Sequence, residues 1–253
     1  MTERSFQINR EGFHICCGIF CRDIRDIDTL VIFCHGFAGH RSSAAALRLA
    51  QRLTDKHRRA ALLTFDLPCH GEDVRKKLAL SDCLDYLEQV VAYARETYRP
   101  KNLYACGTSF GGFLLLDYAA ARGNPFTKIV LRCPAVDMYR ILTRTLLTPE
   151  DLGALRRGKA VSVGFDRKIA IRQSFLEELQ QADLRKNDYL DWAEDILVLQ
   201  GMADEIVSPD SVLEFCQDQL MECIPIAGAD HRFRDPGKMD LAIKETLNFF
   251  SMS

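Results

Sequence analysis

One segment constrains the fold more than any other. Leu103-Tyr104-Ala105-Cys106 is a short apolar run of strand character, and it leads directly into Gly107-Thr108-Ser109-Phe110-Gly111-Gly112. Residues 110–121 follow as an apolar helix, closed by Gly123. A strand that turns at once into a helix needs a tight corner, and the spacing Gly-x-Ser-x-Gly suits one. The glycines allow close backbone approach where a Cβ would clash. The serine between them is expected to be strained, with its hydroxyl lifted above the sheet edge. The helix N-terminus beneath it adds partial positive charge.

The rest of the chain alternates in the same manner. Residues 13–20, 30–34, 60–65, 128–132, 195–200 and 221–226 read as strands. Helices are expected over 43–53, where Ala46, Leu47, Ala50 and Leu53 recur at helical spacing, over 78–98 before Pro100, over 209–219 and over 239–250. Continuous apolar strands with intervening helices predict an α/β fold, its mostly parallel central sheet covered on both faces. The first two strands lie close enough in sequence to predict a hairpin and an antiparallel edge. From Pro134 to about Leu190 the alternation stops. Helix-like pieces at 138–147 and 174–181 are joined by charged connectors. Residues 1–253 are therefore read as a single domain with a cap insertion at about 134–190.

A serine nucleophile needs a base, and the base needs an orienting carboxylate. Of the six histidines, His231 lies in Gly228-Ala229-Asp230-His231-Arg232-Phe233, after the last strand and before the last helix. That loop belongs at the carboxyl edge of the sheet, where ligands bind in open α/β sheets. His57 sits among Lys56, Arg58 and Arg59 and reads as a solvated helix end; His14 reads as structural; His35 is expected to hold a loop. Asp204, in Gly201-Met202-Ala203-Asp204-Glu205, follows a strand at the same edge and is preferred over Glu205, Asp195 and Asp230. The order Ser109, Asp204, His231 is the one expected on such a scaffold. Cys34-His35-Gly36-Phe37-Ala38-Gly39-His40 ends an early strand, so the Phe37 amide is the candidate first oxyanion donor and the Phe110 amide the second.

These segments together resemble the α/β-hydrolase superfamily over almost the whole chain. The resemblance rests on His35-Gly36-Phe37, Asp66-Leu67-Pro68-Cys69-His70-Gly71, Gly107-Thr108-Ser109-Phe110-Gly111-Gly112, Gly201-Met202-Ala203-Asp204 and Asp230-His231. Within the superfamily the chain is similar to small bacterial carboxylesterases, including cinnamoyl (feruloyl) esterase-like enzymes and the group related to serine aminopeptidases and monoglyceride lipases. Those relatives usually carry Gly-His-Gly where Cys69-His70-Gly71 stands here. The resemblance implies a carboxylesterase-type serine hydrolase acting on a small-molecule ester. Thioester, amide and carbon–carbon hydrolysis remain open on the same catalytic set, as does a noncatalytic ligand-binding module. Met138, Tyr139, Leu142, Phe165 and Phe175 are the cap candidates for substrate contact.

Composition narrows the partners. Lys and Arg total 33 against 35 Asp and Glu, a formal net charge of -2 that gives no bulk attraction to nucleic acid. The basic clusters Lys56-His57-Arg58-Arg59 and Arg75-Lys76-Lys77 have no interleaved aromatics, so no nucleic-acid partner is expected. The near balance is read as fitting a neutral or aromatic ester. No dinucleotide or phosphate-loop pattern occurs, and no cofactor is expected. No run reaches the roughly 18 apolar residues of a membrane span, and no leader pattern opens the chain, so a cytoplasmic protein without membrane partners is expected. No motif speaks to oligomeric state. The ten cysteines include the loose group Cys16, Cys17 and Cys21, but no two separated pairs of zinc-site spacing, and no metal site is expected. Several sit in apolar strand patterns as small hydrophobes. Titration under denaturing, non-reducing conditions is expected to return close to ten free thiols per chain; a count far below that would require disulfides.

Overall fold

A computed structural model describes residues 1–10, 12–164 and 167–251. Its chain order begins β1 (Thr2–Arg10), β2 (Phe13–Cys21), β3 (Thr29–Cys34), α1 (Ala44–Lys56), β4 (Ala60–Phe65), α2 (Leu80–Thr97), β5 (Asn102–Thr108), α3 (Phe110–Arg122) and β6 (Lys128–Arg132). The stretch between β6 and β9 follows, with α4 (Met138–Ile141) running into a π turn, α5 (Pro149–Arg156), β7 (Val161–Val163), β8 (Ile169–Ile171) and α6 (Gln173–Gln181). The chain then returns through β9 (Ile196–Gly201), α7 (Pro209–Asp218), β10 (Glu222–Ile226) and α8 (Pro236–Phe249).

Eight strands form one sheet in the order β1-β2-β4-β3-β5-β6-β9-β10. From β4 to β10 every pairing is parallel, and β2 meets β4 antiparallel. β3, β4 and β9 are buried at every residue, which is why they read as unbroken apolar runs. Alternate residues still go to opposite faces. Leu30, Ile32, Cys34, Leu63, Ala105, Leu131 and Val198 pack into one core with residues of α2, α3 and α7. Val31, Phe33, Leu62, Cys106, Val130 and Leu199 pack into a second core with α1 and α8. The sheet is thus covered on both sides, as expected.

Two expectations are corrected. The edge hairpin is β1 with β2, not β2 with β3. Both edges of β3 are already taken by β4 and β5. β1 is an outer strand whose polar residues mask its signal, since only Phe6 and Ile8 alternate inward. The stretch between β6 and β9 also holds more than the two expected helices. α5 begins with a reciprocal cap between Thr148 and Asp151, and β7 pairs antiparallel with β8. Among the described residues no helix is long and apolar enough to cross a membrane.

The loops after β3 and β4 are tied together by one carboxylate. Asp66, fully sealed, accepts the Arg41 amide at 2.8 Å, the Glu72 amide at 2.9 Å and the Arg41 guanidinium. Gly71 packs so closely on it, at φ +54°, that a Cβ would fall 2.0 Å from the carboxyl carbon. Removing one partner of such a pair leaves the other charge uncompensated, at about 3 kcal/mol. Asp66→Asn is therefore expected to lower the unfolding free energy by about that much in urea titrations. Glu72→Gln, whose side chain on the same guanidinium is 70% exposed, is expected to cost under about 1 kcal/mol. Equal costs would contradict this reading of the loop pair.

Candidate active site

Ser109 stands at the corner between β5 and α3 with φ +52° and ψ −116°, a backbone region that costs a non-glycine residue of order 1–3 kcal/mol. The surroundings hold it there. Its amide donates to Arg132 O at 3.0 Å, and its carbonyl accepts from Gly112, Phe113 and Ala135 at 2.9–3.1 Å. The flanking glycines have no alternative. A Cβ at Gly107 would lie 2.7 Å from Gly111 O, and one at Gly111 would lie 2.1 Å from Cys34 O. α3 is thereby pressed against the ends of both β3 and β5.

The structure brings the three expected polar residues together. His231 Nε2 lies 3.0 Å from Ser109 Oγ, and its Nδ1 lies 2.8 Å from Asp204 Oδ2. The other Asp204 oxygen accepts the Ile206 and Val207 amides, both at 2.8 Å. Burial pushes the Asp204 carboxyl up, but the His231 hydrogen bond and charge, with the two amides, outweigh it and hold the carboxyl below its ordinary value. A carboxylate so placed fixes the imidazole with Nδ1 as donor, leaving Nε2 to face the serine. The rival acids are engaged elsewhere. Glu205 accepts the His231 amide at 3.2 Å, and Asp230 accepts the Arg234 amide and guanidinium at 2.9 and 2.8 Å. Asp195 closes the turn before β9, at the opposite end of that strand.

Cys133 Sγ, an Asp204 oxygen and a His231 nitrogen lie within 4.8 Å of one another, the spacing of a possible metal-binding trio. The carboxylate and both ring nitrogens are already engaged, and burial holds the Cys133 thiol protonated by raising its pKa. The Cys133 thiol thus lies beside Asp204 as a neutral neighbour. Behind it, Gln200 donates towards Asp204 Oδ2 at 3.5 Å from a fully buried position. All ten cysteines are free thiols.

Among the described residues the Phe37 and Phe110 amides donate to no acceptor, and both flank Ser109. The loop carrying Phe37 is braced by His35, which donates from Nδ1 to Gly36 O at 2.8 Å and accepts the Leu67 amide on Nε2 at 3.2 Å. His70 packs against both the His35 and Phe37 rings and donates from Nδ1 to Pro68 O at 2.7 Å. His14 pairs with Asn9 Oδ1 at 2.8 Å, far from this cluster in the edge hairpin.

Ser109 and His231 line a cavity of about 750 Å³. Of the cap candidates, Met138 lines it; Phe165 lies outside the described residues. Tyr139 packs against the core, and Leu142 and Phe175 are fully buried there, Phe175 edge-on to Phe110. Met138 and Ile141 pack into the same core as Leu142 but also reach the cavity wall, whereas Leu142 does not. Ile141, Ile206 and Arg132 are cavity residues not singled out from sequence. Arg132 carries the one usable signal, a charge ending a buried apolar strand.

A family model described as the alpha/beta hydrolase fold matches residues 29–160. No curated protein sequence matches the chain. Among solved structures it is similar to ferulic acid-bound Est1E from Butyrivibrio proteoclasticus, at 19% identity and a TM-score of 0.74 over 97% of this chain and 99% of that one. It is also similar to a soluble variant of monoglyceride lipase from Saccharomyces cerevisiae in complex with a substrate analog, at 14% identity and a TM-score of 0.76 over 100% of this chain and 97% of that one. A third likeness is to alpha/beta hydrolase domain-containing protein 10 from mouse, at 16% identity, 98% coverage of both chains and a TM-score of 0.70. At these identities the likeness is one of fold.

The buried histidines give this region a pH signature. Burial pushes His35 down to about 4, and burial together with the nearby His35 pushes His70 down to about 3. In the unfolded chain both titrate near 6.5, so the unfolded state takes up protons first as the pH falls. Stability is fully present above pH 6.5 and is lost as the pH falls towards 4. The urea midpoint is expected to drop across that window, and to drop less steeply in His70→Gln. A flat midpoint between pH 6.5 and 4 would contradict it.

Proposed function

Since the chain belongs to the α/β-hydrolase fold family, we propose that it is a serine hydrolase that cleaves a small carboxylic ester by acyl transfer. The observation that carries this reading is the unbroken hydrogen-bond chain from Ser109 through His231 to Asp204, at 3.0 and 2.8 Å, opening into a cavity of about 750 Å³. The likenesses to a ferulic acid-bound protein and to a monoglyceride lipase support an ester as the substrate class.

In this reading Ser109 Oγ attacks the ester carbonyl while His231 Nε2 takes its proton. Asp204 keeps the imidazole in the required tautomer and stabilises the imidazolium that forms. The Phe37 and Phe110 amides receive the oxyanion, each worth about 3 kcal/mol in the transition state. His231 returns the proton to the leaving alcohol. It then takes a proton from water as the water attacks the acyl-enzyme, and passes that proton to the departing Ser109 Oγ as the acid is released. The strained Ser109 backbone contributes by position: the hydroxyl has no rotation of the main chain left to lose before attack. Residues 134–190 act as a cap on one α/β domain, supported by the presence of Met138, Ile141, Leu146 and Gly164 in the cavity wall.

Ser109→Ala is expected to abolish both p-nitrophenyl ester hydrolysis and labelling by a fluorophosphonate. Asp204→Asn is expected to lower kcat by about 10⁴-fold while leaving the fold intact by circular dichroism. Labelling that survives Ser109→Ala would overturn the assignment.

A further inference from the structure

The cavity beside Ser109 has a charge that the chain as a whole lacks. Its ionisable lining consists of histidines and of arginines that include Arg132 and Arg167; among the described residues no Asp or Glu lines it. Arg132 ends β6, beside Thr108 of β5, and its carbonyl receives the Ser109 amide, so its backbone is fixed next to the proposed nucleophile. Its guanidinium lies over the Phe233 ring at 5.2 Å and donates from Nη1 to the Met239 thioether at 3.0 Å. Neither is a counter-charge. The Nε of Arg132 is sealed from solvent and has no acceptor among the described residues. Among the described residues no carboxylate forms an ion pair with Arg132, and Asp230, whose charge acts on it from a distance, is paired with Arg234. Burial pulls the guanidinium below the usual arginine value, as expected for a buried cation short of negative charge.

A second feature converges on the same spot. The first turn of α1 reaches the cavity through Ser43, Ala44 and Ala45. Ser43 Oγ caps the Ala46 amide at 3.3 Å, but among the described residues the Ala44 and Ala45 amides donate to nothing, and the first turn carries no acidic residue. Ala45, Thr108 and Arg132 also line a small adjoining hollow of about 30 Å³, so the helix end and the arginine approach each other there. A helix N-terminus with free amides is an anion site in waiting, and a half-buried arginine at its mouth supplies the full charge. On the far wall Met138, Ile141 and Leu146 are apolar.

We propose that the substrate is an ester carrying an anionic group, seated between Arg132 and the first turn of α1, with its apolar part against α4 and the turn that follows it. Arg167, exposed and with no ion-pair partner among the described residues, attracts that group from the cavity rim. The inference rests on Ser109 being the nucleophile. It replaces the expectation of a neutral ester, which came from the balance of charges over the whole chain, by the charge of the one surface a substrate meets.

The test compares length-matched p-nitrophenyl esters: the neutral valerate, the hemiglutarate with a terminal carboxylate, and a phosphonate-terminated ester of similar reach. The enzyme is expected to prefer an anionic ester by about tenfold or more in kcat/KM, with the preference shrinking as salt is raised. The carboxylate and phosphonate arms separate the two anion types. Arg132→Met is expected to bring the anionic-to-neutral ratio close to one, mainly through KM. Should that variant not fold, Arg167→Ala in the folded protein is expected to lower the same ratio two- to fivefold, and free glutarate to inhibit the wild type competitively. A wild-type ratio of one or below, or competitive inhibition absent for both glutarate and inorganic phosphate, overturns the anionic-substrate reading. Loss of all ester turnover together with loss of fluorophosphonate labelling in the wild type instead overturns the serine-hydrolase reading.

Discussion

Everything at the sheet's carboxyl edge depends on the corner at Ser109. A non-glycine residue at φ +52° is held there because four backbone hydrogen bonds close around it: its amide donates to Arg132 O, and its carbonyl accepts from the Gly112, Phe113 and Ala135 amides. The corner fixes the distance between β5 and α3. α3 in turn presses Gly111 against the ends of β3, where even one methyl group would collide with Cys34 O. The loop bearing Phe37, the end of β6 bearing Arg132 and the start of α3 are thus set by the same few atoms. Strain of about 1–3 kcal/mol at one residue is small against the burial of a whole sheet, so the fold tolerates it.

The imidazole and carboxylate opposite are positioned by different means. Asp204 is not strained; it sits in a turn whose amides, from Ile206 and Val207, satisfy one oxygen and leave the other for His231. The Phe37 loop is braced by two sealed histidines, His35 and His70, each of which donates from Nδ1 to a backbone carbonyl. Ser109, the Phe110 amide and the Phe37 loop thus share one corner, whereas Asp204 is anchored by its own turn, and they meet because the sheet delivers their loops to one edge.

The corner, the order of strands and helices, and the loops carrying Asp204 and His231 were legible in sequence because each leaves a local mark: glycines at a fixed spacing, apolar runs, a histidine after the last strand. What escaped was set by neighbours. β1 is polar because one side of it faces solvent, and its pairing with β2 follows from β3 having no free edge. Leu142 and Phe175 are as apolar as Met138, and only the direction of each side chain separates core from cavity wall. Arg132 looked like the end of a strand. Its meaning depends on which side chains surround it in space, and no periodicity in the chain encodes that.

The two outer strands have a consequence beyond the site. A sheet with bare margins offers rows of unpaired amides and carbonyls to any neighbour, the usual seed of fibrous self-association. Here one margin is β1, whose Thr2, Glu3, Arg4 and Ser5 are all exposed, and the other is β10, where Pro225 removes an amide hydrogen. Charge guards one side and a missing donor guards the other. Neither margin of the folded sheet is thus a bare template for edge-to-edge pairing.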